Sequence, residues 1–391
     1  MRAHESGSWA EMQDRTLAQA SAVPAPAVVL VIGTLQGGGA ERQLSDMANY
    51  WAARHWTVIL ATWSGPDVPD FYALHPHVRR VYLDTGAGRA AAGSRLSMLS
   101  SMLTLRKLVS EVRPCAVLSF LTESNLLSII AGAGLKTRII VSERVQPALH
   151  TSLPRMWRVM RVLLYARADD VVAQTRDAAQ WLENRCRLSV RVIPNALRML
   201  PELSGERRPV VVAVGRLTRQ KGFDLLLRAF AQIAARYAEW SVAIVGEGEE
   251  RENLTQLRDE LHLDDRVQFV GQTSDVVTWM AHAGLIVQPS RFEGFPNVVL
   301  ESMGLGAAVI SADCRSGPAE LIQDGVNGRL VPVEDVNALA TAMAELMASP
   351  DERARLGQAA YSVRDRYRQD TVMNLWEACL LPQTEHERLP K

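Results

Sequence analysis

Two carboxylates with seven residues between them bracket a Gly-Phe-Pro-Asn turn. Ser290–Glu301 reads S-R-F-E-G-F-P-N-V-V-L-E, with Glu293 on a loop and Glu301 about one turn inside the helix predicted to follow. Pro296 suits the first turn of that helix, where its missing N–H has no helical partner to lose. Free backbone N–H groups at a helix start attract anions. A loop carboxylate, a positive helix end and a second carboxylate suit a sugar linked to a phosphate. A surface loop with a helix-capping acid carries the same residue types, so this stretch needs partners.

The second constellation is Val212–Gly222, V-A-V-G-R-L-T-R-Q-K-G. A strand ends at Gly215, and Arg216 and Lys221 follow before the next helix. A departing diphosphate needs its growing charge neutralised. Arg binds phosphate oxygens bidentately and Lys acts as a point charge. A third constellation, Ile32–Gln43, reads I-G-T-L-Q-G-G-G-A-E-R-Q. Its glycines, Gly38 and Gly39 among them, let backbone approach a ligand at a helix start. It is not G-x-G-x-x-G, which argues against a nicotinamide dehydrogenase. In Val245–Glu250, V-G-E-G-E-E, Gly246 ends another strand where the base of a nucleotide would lie.

Polar residues at first-domain strand ends form a weaker set. Thr122, Glu123 and Asn125 in S-F-L-T-E-S-N, and Arg144 in S-E-R, are candidates for sugar or acceptor contact at a cleft edge. Residues of these types at strand ends also cap helices. No D-x-D occurs, and the adjacent Asp169-Asp170 suits capping better than a bridging Mg²⁺. The four cysteines lie far apart with no C-x-x-C, the pattern of reduced, buried thiols and not of a metal knuckle or redox pair. Pro154–Arg167 spaces Arg155, Arg158 and Arg161 three apart among Met, Trp, Val and Leu. Such a helix either lies on anionic lipid or faces a core with a solvated basic edge.

The elements that must carry these residues alternate strand and helix twice over. First-half strands are expected at Val28–Ile32, Thr57–Ala61, Val78–Leu83, Ala116–Phe120, Arg138–Val141, Asp170–Ala173 and Val190–Ile193. Second-half strands are expected at Val210–Val214, Ser241–Val245, Val267–Val270, Leu285–Val287, Ala308–Ser311 and Arg329–Val331. Several are continuous apolar runs, as in parallel strands covered on both faces. The expected fold class is α/β, two Rossmann-like doubly wound sheets facing across a cleft, with ligand at the carboxyl ends of the strands. The division is a disordered leader, 1–26, without the apolar core of a signal peptide; a first domain, 27–193; a linker, 194–209; a second domain, 210–349; and C-terminal helices, 350–391, that cross back to the first domain. The balance of 43 Lys plus Arg against 43 Asp plus Glu disfavours a nucleic-acid partner, and no apolar run is long enough to span a bilayer. A cytoplasmic setting follows as the expectation.

Together these stretches resemble the retaining glycosyltransferases of the GT4 family, which have the two-domain GT-B fold. E-G-F-P-N-V-V-L-E matches the family's E-x7-E signature, and G-R-L-T-R-Q-K-G precedes it as in the family. G-G-G-A-E-R, S-F-L-T-E-S-N, S-E-R and V-I-P-N resemble bacterial members that build polysaccharide or lipid-linked oligosaccharide. The resemblance implies that Arg216 and Lys221 bind the donor diphosphate and Glu301 holds the ribose hydroxyls. It implies that Glu293 contacts the transferred sugar, helped by backbone around Gly294, Phe295, Asn297 and Val298, while Gly38 and Gly39 approach the phosphate from the first domain. It implies no metal and no cofactor, a nucleotide-sugar donor, and a glycan or lipid-linked acceptor at the inner face of the cytoplasmic membrane. Many relatives carry a His after the strand matching Ala116–Phe120, where this chain has Thr122-Glu123, so the first-domain sugar contact stays open. A sugar-nucleotide epimerase of the same architecture and a non-catalytic nucleotide-sugar-binding protein are the alternatives.

Overall fold

The computed structural model describes residues 25–84, 95–149, 153–201 and 206–381. The expected leader lies outside the described residues up to position 24. Among the described residues the chain builds two all-parallel sheets.

The first holds β1 (Ala27–Ile32), β2 (Thr57–Thr62), β3 (Val78–Tyr82), β4 (Ala116–Phe120), β5 (Arg138–Glu143), β6 (Asp170–Ala173) and β7 (Arg191–Val192), in the order β3-β2-β1-β4-β5-β6-β7. The second holds β8 (Arg208–Val214), β9 (Ser241–Val245), β10 (Val267–Gly271), β11 (Ala283–Gln288), β12 (Val309–Ala312) and β13 (Arg329–Val331), in the order β10-β9-β8-β11-β12-β13. Strand order reverses between β1 and β4 in one sheet and between β8 and β11 in the other. Such switch points open crevices at the strand carboxyl ends.

Both faces of each central strand are covered, which is why these strands read as unbroken apolar runs. In β1, Val28, Leu30 and Ile32 enter one core while Val29 and Val31 enter another, all fully buried. In β8, Val211 and Ala213 face one cluster and Val212 and Val214 the other. Burying each such valine or leucine stabilises the fold by about 1.5–3 kcal/mol. The helix Gly39–Ala52 lays Leu44, Met47, Ala48 and Trp51 onto the first sheet, the stripe its periodicity predicts.

The segment expected as a linker, 194–209, is not a solvated tether over its described part. β8 begins inside it, because Arg208 pairs with Ala283 of β11. Leu197 is buried, and its N–H donates to the Tyr367 carbonyl at 2.7 Å. The helix Gln369–Leu380 packs Val372, Met373, Trp376, Cys379 and Leu380 into the core formed by β1 and the helix Gly39–Ala52. Tyr50 donates to Asp370 at 2.8 Å and Trp51 to Glu377 at 3.1 Å, fixing that helix on the first domain.

The basic helix, Arg155–Leu164, keeps only part of its expected basic edge in solvent. Arg161 is buried against Glu143 at 3.5 Å, while Met156, Val159 and Leu163 are exposed beside Arg155 and Arg158.

Candidate active site

Loops from the two switch points converge on one cavity of ≈ 510 Å³. Gly38, Gly39 and Arg144 reach it from the first domain, and Gly215, Arg216 and Lys221 from the loop after β8. Glu293, Gly294, Phe295, Asn297 and Val298 line it from the loop after β11 and the start of the helix Asn297–Gly304.

The two second-domain loops are fastened to each other. Gly222 adopts φ +68°, and a Cβ there would stand 2.1 Å from the Pro289 carbonyl oxygen, so only glycine allows this approach. The Arg291 N–H donates to Gln220 O at 2.8 Å and the Gln220 amide to Phe292 O at 2.9 Å. Arg291 also forms two 2.8 Å bonds to Asp224 at the start of the following helix. Burial raises the Asp224 carboxyl, and its bonds to Arg291 and to backbone N–H groups together more than offset that, leaving it below the ordinary range. The result is a fixed pair: Lys221 Nζ stands 2.7 Å from Glu293 Oε1. The same oxygen accepts from Ser290 Oγ at 2.7 Å and Gln288 Nε2 at 3.1 Å. Glu293 is only 5% exposed, so the carboxylate is held at the cavity wall by three donors. Arg216 is exposed on the opposite edge of this loop, and no salt bridge holds it among the described residues.

The domains touch where Gly294 passes the Arg144 carbonyl, which would lie 2.6 Å from a Cβ at that position. Asn195 Nδ2 donates to Asn297 Oδ1 at 2.6 Å, and Arg144 Nη2 donates to Asn195 Oδ1. The Arg144 guanidinium lies over the Phe120 ring at 4.2 Å, and burial pulls it down to about 9, so it is still charged near neutrality. Glu320 accepts from the Arg176 N–H at 2.6 Å across the same interface. Burial and the neighbouring Glu293 carboxylate push the Cys314 thiol up to about 12, which leaves it protonated and no nucleophile.

Several expectations need correction. Thr122 and Asn125 are fully buried and do not line the cavity. Thr122 Oγ1 donates to Glu143 at 2.9 Å, and Asn125 donates to Tyr165 Oη at 2.9 Å and to the Ser142 carbonyl at 3.0 Å. Tyr165 donates to Glu143 at 2.5 Å, so these side chains satisfy a buried carboxylate beneath the loop. Glu123 is half-buried and also outside the cavity lining. Leu121, at φ +74°, takes the position facing the cleft. Gly246 packs on the Gly215 carbonyl behind the wall. Glu301 is only 5% exposed and does not line the cavity: Arg42 holds Oε1, and Arg198 holds Oε2 at 2.9 Å.

Arg42, Arg198, Gln288, Ser290 and Asn195 were not singled out from sequence as site residues. Arg42 and Asn195 fall inside quoted stretches, G-G-G-A-E-R and V-I-P-N, but nothing local says that either reaches the other domain.

Two family models divide the chain between them: Glycosyltransferase Family 4 matches residues 37–198, and Glycosyl transferases group 1 matches residues 201–363. A Campylobacter jejuni protein, GalNAc-alpha-(1->4)-GalNAc-alpha-(1->3)-diNAcBac-PP-undecaprenol alpha-1,4-N-acetyl-D-galactosaminyltransferase, is 28% identical over 80% of this chain and 86% of its own length. Among solved structures, sucrose-phosphate synthase from Thermosynechococcus elongatus superposes with a TM-score of 0.79 at 21% identity, over 90% of this chain and 98% of that one. Anabaena HepE in complex with UDP-glucose gives 0.75 at 20% identity, over 90% and 99%. With both sheets, the facing switch points and both family models in agreement, the chain belongs to the family 4 glycosyltransferases and has their two-domain GT-B fold.

Proposed function

We propose that this glycosyltransferase moves a sugar from a nucleoside diphosphate donor to a hydroxyl of a lipid-linked or polysaccharide glycan, with retention of anomeric configuration and without a metal. The observation that carries this reading is the Lys221–Glu293 pair, placed with Arg216 opposite the Gly38–Gly39 helix start across one cavity. In this reading Arg216 and Lys221 neutralise the departing diphosphate, so the positive charge a metal would supply comes from the chain. Glu293 contacts the transferred sugar, with the backbone of Gly294, Phe295, Asn297 and Val298 around it, and Glu301 receives the ribose. Gly215 lets the donor approach the β8 end, and Gly246 supports that glycine from behind. The leaving phosphate takes the acceptor proton on the face it departs from, which keeps the configuration and needs no separate protein base. Arg144 contacts the sugar or acceptor from the first domain; Thr122, Glu123 and Asn125 are withdrawn from that role.

The relative from Campylobacter acts on an undecaprenol-linked glycan, which supports a lipid-linked acceptor here. The test is a panel of UDP-, GDP- and ADP-sugars with and without polyprenyl-diphosphate glycans, in EDTA, with NMR of the product. Diphosphate release that depends on acceptor, and a product of unchanged anomeric configuration, is expected. Donor consumption without a new glycosidic bond would defeat the reading.

Such an acceptor places the enzyme at the inner face of the cytoplasmic membrane in this reading. No described helix is long and apolar enough to cross a membrane. The exposed Met156, Val159 and Leu163 with Arg155 and Arg158 give peripheral contact instead. The affinity for vesicles containing anionic lipid, read by sedimentation, is expected to fall by about thirtyfold or more in the Arg155→Glu, Arg158→Glu double variant, since each basic residue near such a surface contributes about 1 kcal/mol. Unchanged sedimentation would remove this helix from the membrane contact.

A further inference from the structure

The first-domain helix start places two charged side chains on the second domain's donor machinery. Arg42, on the first turn of the helix Gly39–Ala52, forms an ion pair with Glu301, 259 residues away. This pair crosses the domain interface and covers the carboxylate, which is why Glu301 is absent from the cavity wall. Its neighbour Glu41 folds back over the glycine loop: a Cβ on Gly38 would stand 2.1 Å from Glu41 Oε2. The Glu41 carboxylate therefore occupies the anion-attracting end of that helix, half-buried, within the field of Arg216 across the cavity. Burial raises this carboxyl above its ordinary range, with its own backbone N–H and Arg216 acting the other way.

A nucleoside diphosphate cannot share these positions. Its phosphates need the glycine loop and Arg216, where a carboxylate already stands, and its ribose needs a carboxylate whose two oxygens are both taken by guanidinium groups. We propose that Glu41 and Arg42 are an internal stand-in for the donor, Glu41 in the place of the diphosphate and Arg42 in the place of the ribose, and that donor binding proceeds by displacing both. This rests on the donor-site reading above and adds two recognition residues to it. Donor affinity is then a difference between two occupants, and the first domain senses donor directly through the side chains it must withdraw. Arg198 remains on Glu301 throughout and keeps the carboxylate oriented once Arg42 has left.

The two halves separate by ligand. Glu41 opposes phosphate only, so Glu41→Gln is expected to tighten UDP, GDP or ADP binding roughly tenfold, the size of one charge interaction near a protein surface. The same variant should leave the matching nucleoside unchanged. Arg42 opposes ribose, so Arg42→Gln is expected to tighten the nucleoside several-fold. Calorimetric titration of each nucleoside and its diphosphate into wild type, Glu41→Gln, Glu41→Ala and Arg42→Gln reads this out, with thermal melts to establish folding. Diphosphate binding that is unchanged or weaker in folded Glu41→Gln and Glu41→Ala would overturn the Glu41 half. Weaker nucleoside binding in folded Arg42→Gln would overturn the Arg42 half, because it would make Arg42 a support of Glu301 and not its cover. Wild type that binds no nucleoside diphosphate would instead sink the donor-site reading itself, so the two failures are distinct.

Discussion

Lys221→Ala is expected to lower kcat about 10³-fold while the protein stays folded. Lys221 sits on a short turn closed by Gly222, and its ammonium lies 2.7 Å from Glu293 Oε1. One charge is lost in the variant and another is left without its ionic partner. The cation that faces the developing diphosphate is lost, and Glu293 keeps only Ser290 and Gln288, so the potential at the leaving group turns more negative. Loss of one donor aimed at developing charge lowers turnover by about 10²–10³, and the uncompensated carboxylate adds to it. Arg216 is exposed on the same loop and still attracts donor, so KM should move much less than kcat. Lys221→Arg keeps the charge and should recover part of the turnover, which a role in loop folding alone would not require. Steady-state kinetics with far-UV circular dichroism decides the matter: a folded Lys221→Ala enzyme within tenfold of wild-type kcat contradicts the assignment.

Legibility followed locality. Strands buried on both faces write themselves as apolar runs, so β4, β6 and β9 have the bounds expected from sequence. Where an end is set by a partner strand, it moves, as at Arg208 of β8, whose pairing with Ala283 no local pattern encodes. The same distinction governs the site. Lys221, Arg216 and Glu293 lie beside strand ends and glycines, and local sequence finds them. Arg42 on Glu301 joins residues 259 apart, and neither segment announces the other. Thr122 and Asn125 looked like cleft residues because a polar strand end reads alike in either setting. Glu143 and Tyr165, on other elements, decide that they face inward. Arg161 fails for a geometric reason. At 3.6 residues per turn, each three-residue step falls about 60° short of a full turn, so Arg161 lies about 120° round the helix from Arg155. That rotation carries it from the solvent face into contact with Glu143.

The second large effect is structural and reaches the cleft by packing. Trp376→Ala should destabilise the protein by about 3–5 kcal/mol, the usual loss for a buried aromatic truncated to a methyl. Trp376 is 2% exposed, and its ring lies 6.0 Å from that of Phe120 at the end of β4. Phe120 in turn carries the Arg144 guanidinium on its ring at 4.2 Å. A void at position 376 therefore loosens a chain of contacts that runs from the C-terminal helix to the cavity wall. The helix has polar tethers as well, through Asp370 and Glu377, but these are partly exposed and each contributes about 1 kcal/mol, too little to replace the ring. For a domain of this size a loss of that magnitude lowers the melting temperature by roughly 10 °C. Because the ring belongs to the first domain's core, that domain should melt ahead of the second, splitting one calorimetric transition into two. Trp376→Phe, which keeps most of the apolar surface, should recover more than half of the loss. A Trp376→Ala protein within 1 kcal/mol of wild type, or one whose two domains still melt together, would mean that the C-terminal helix rests on the first domain without holding it.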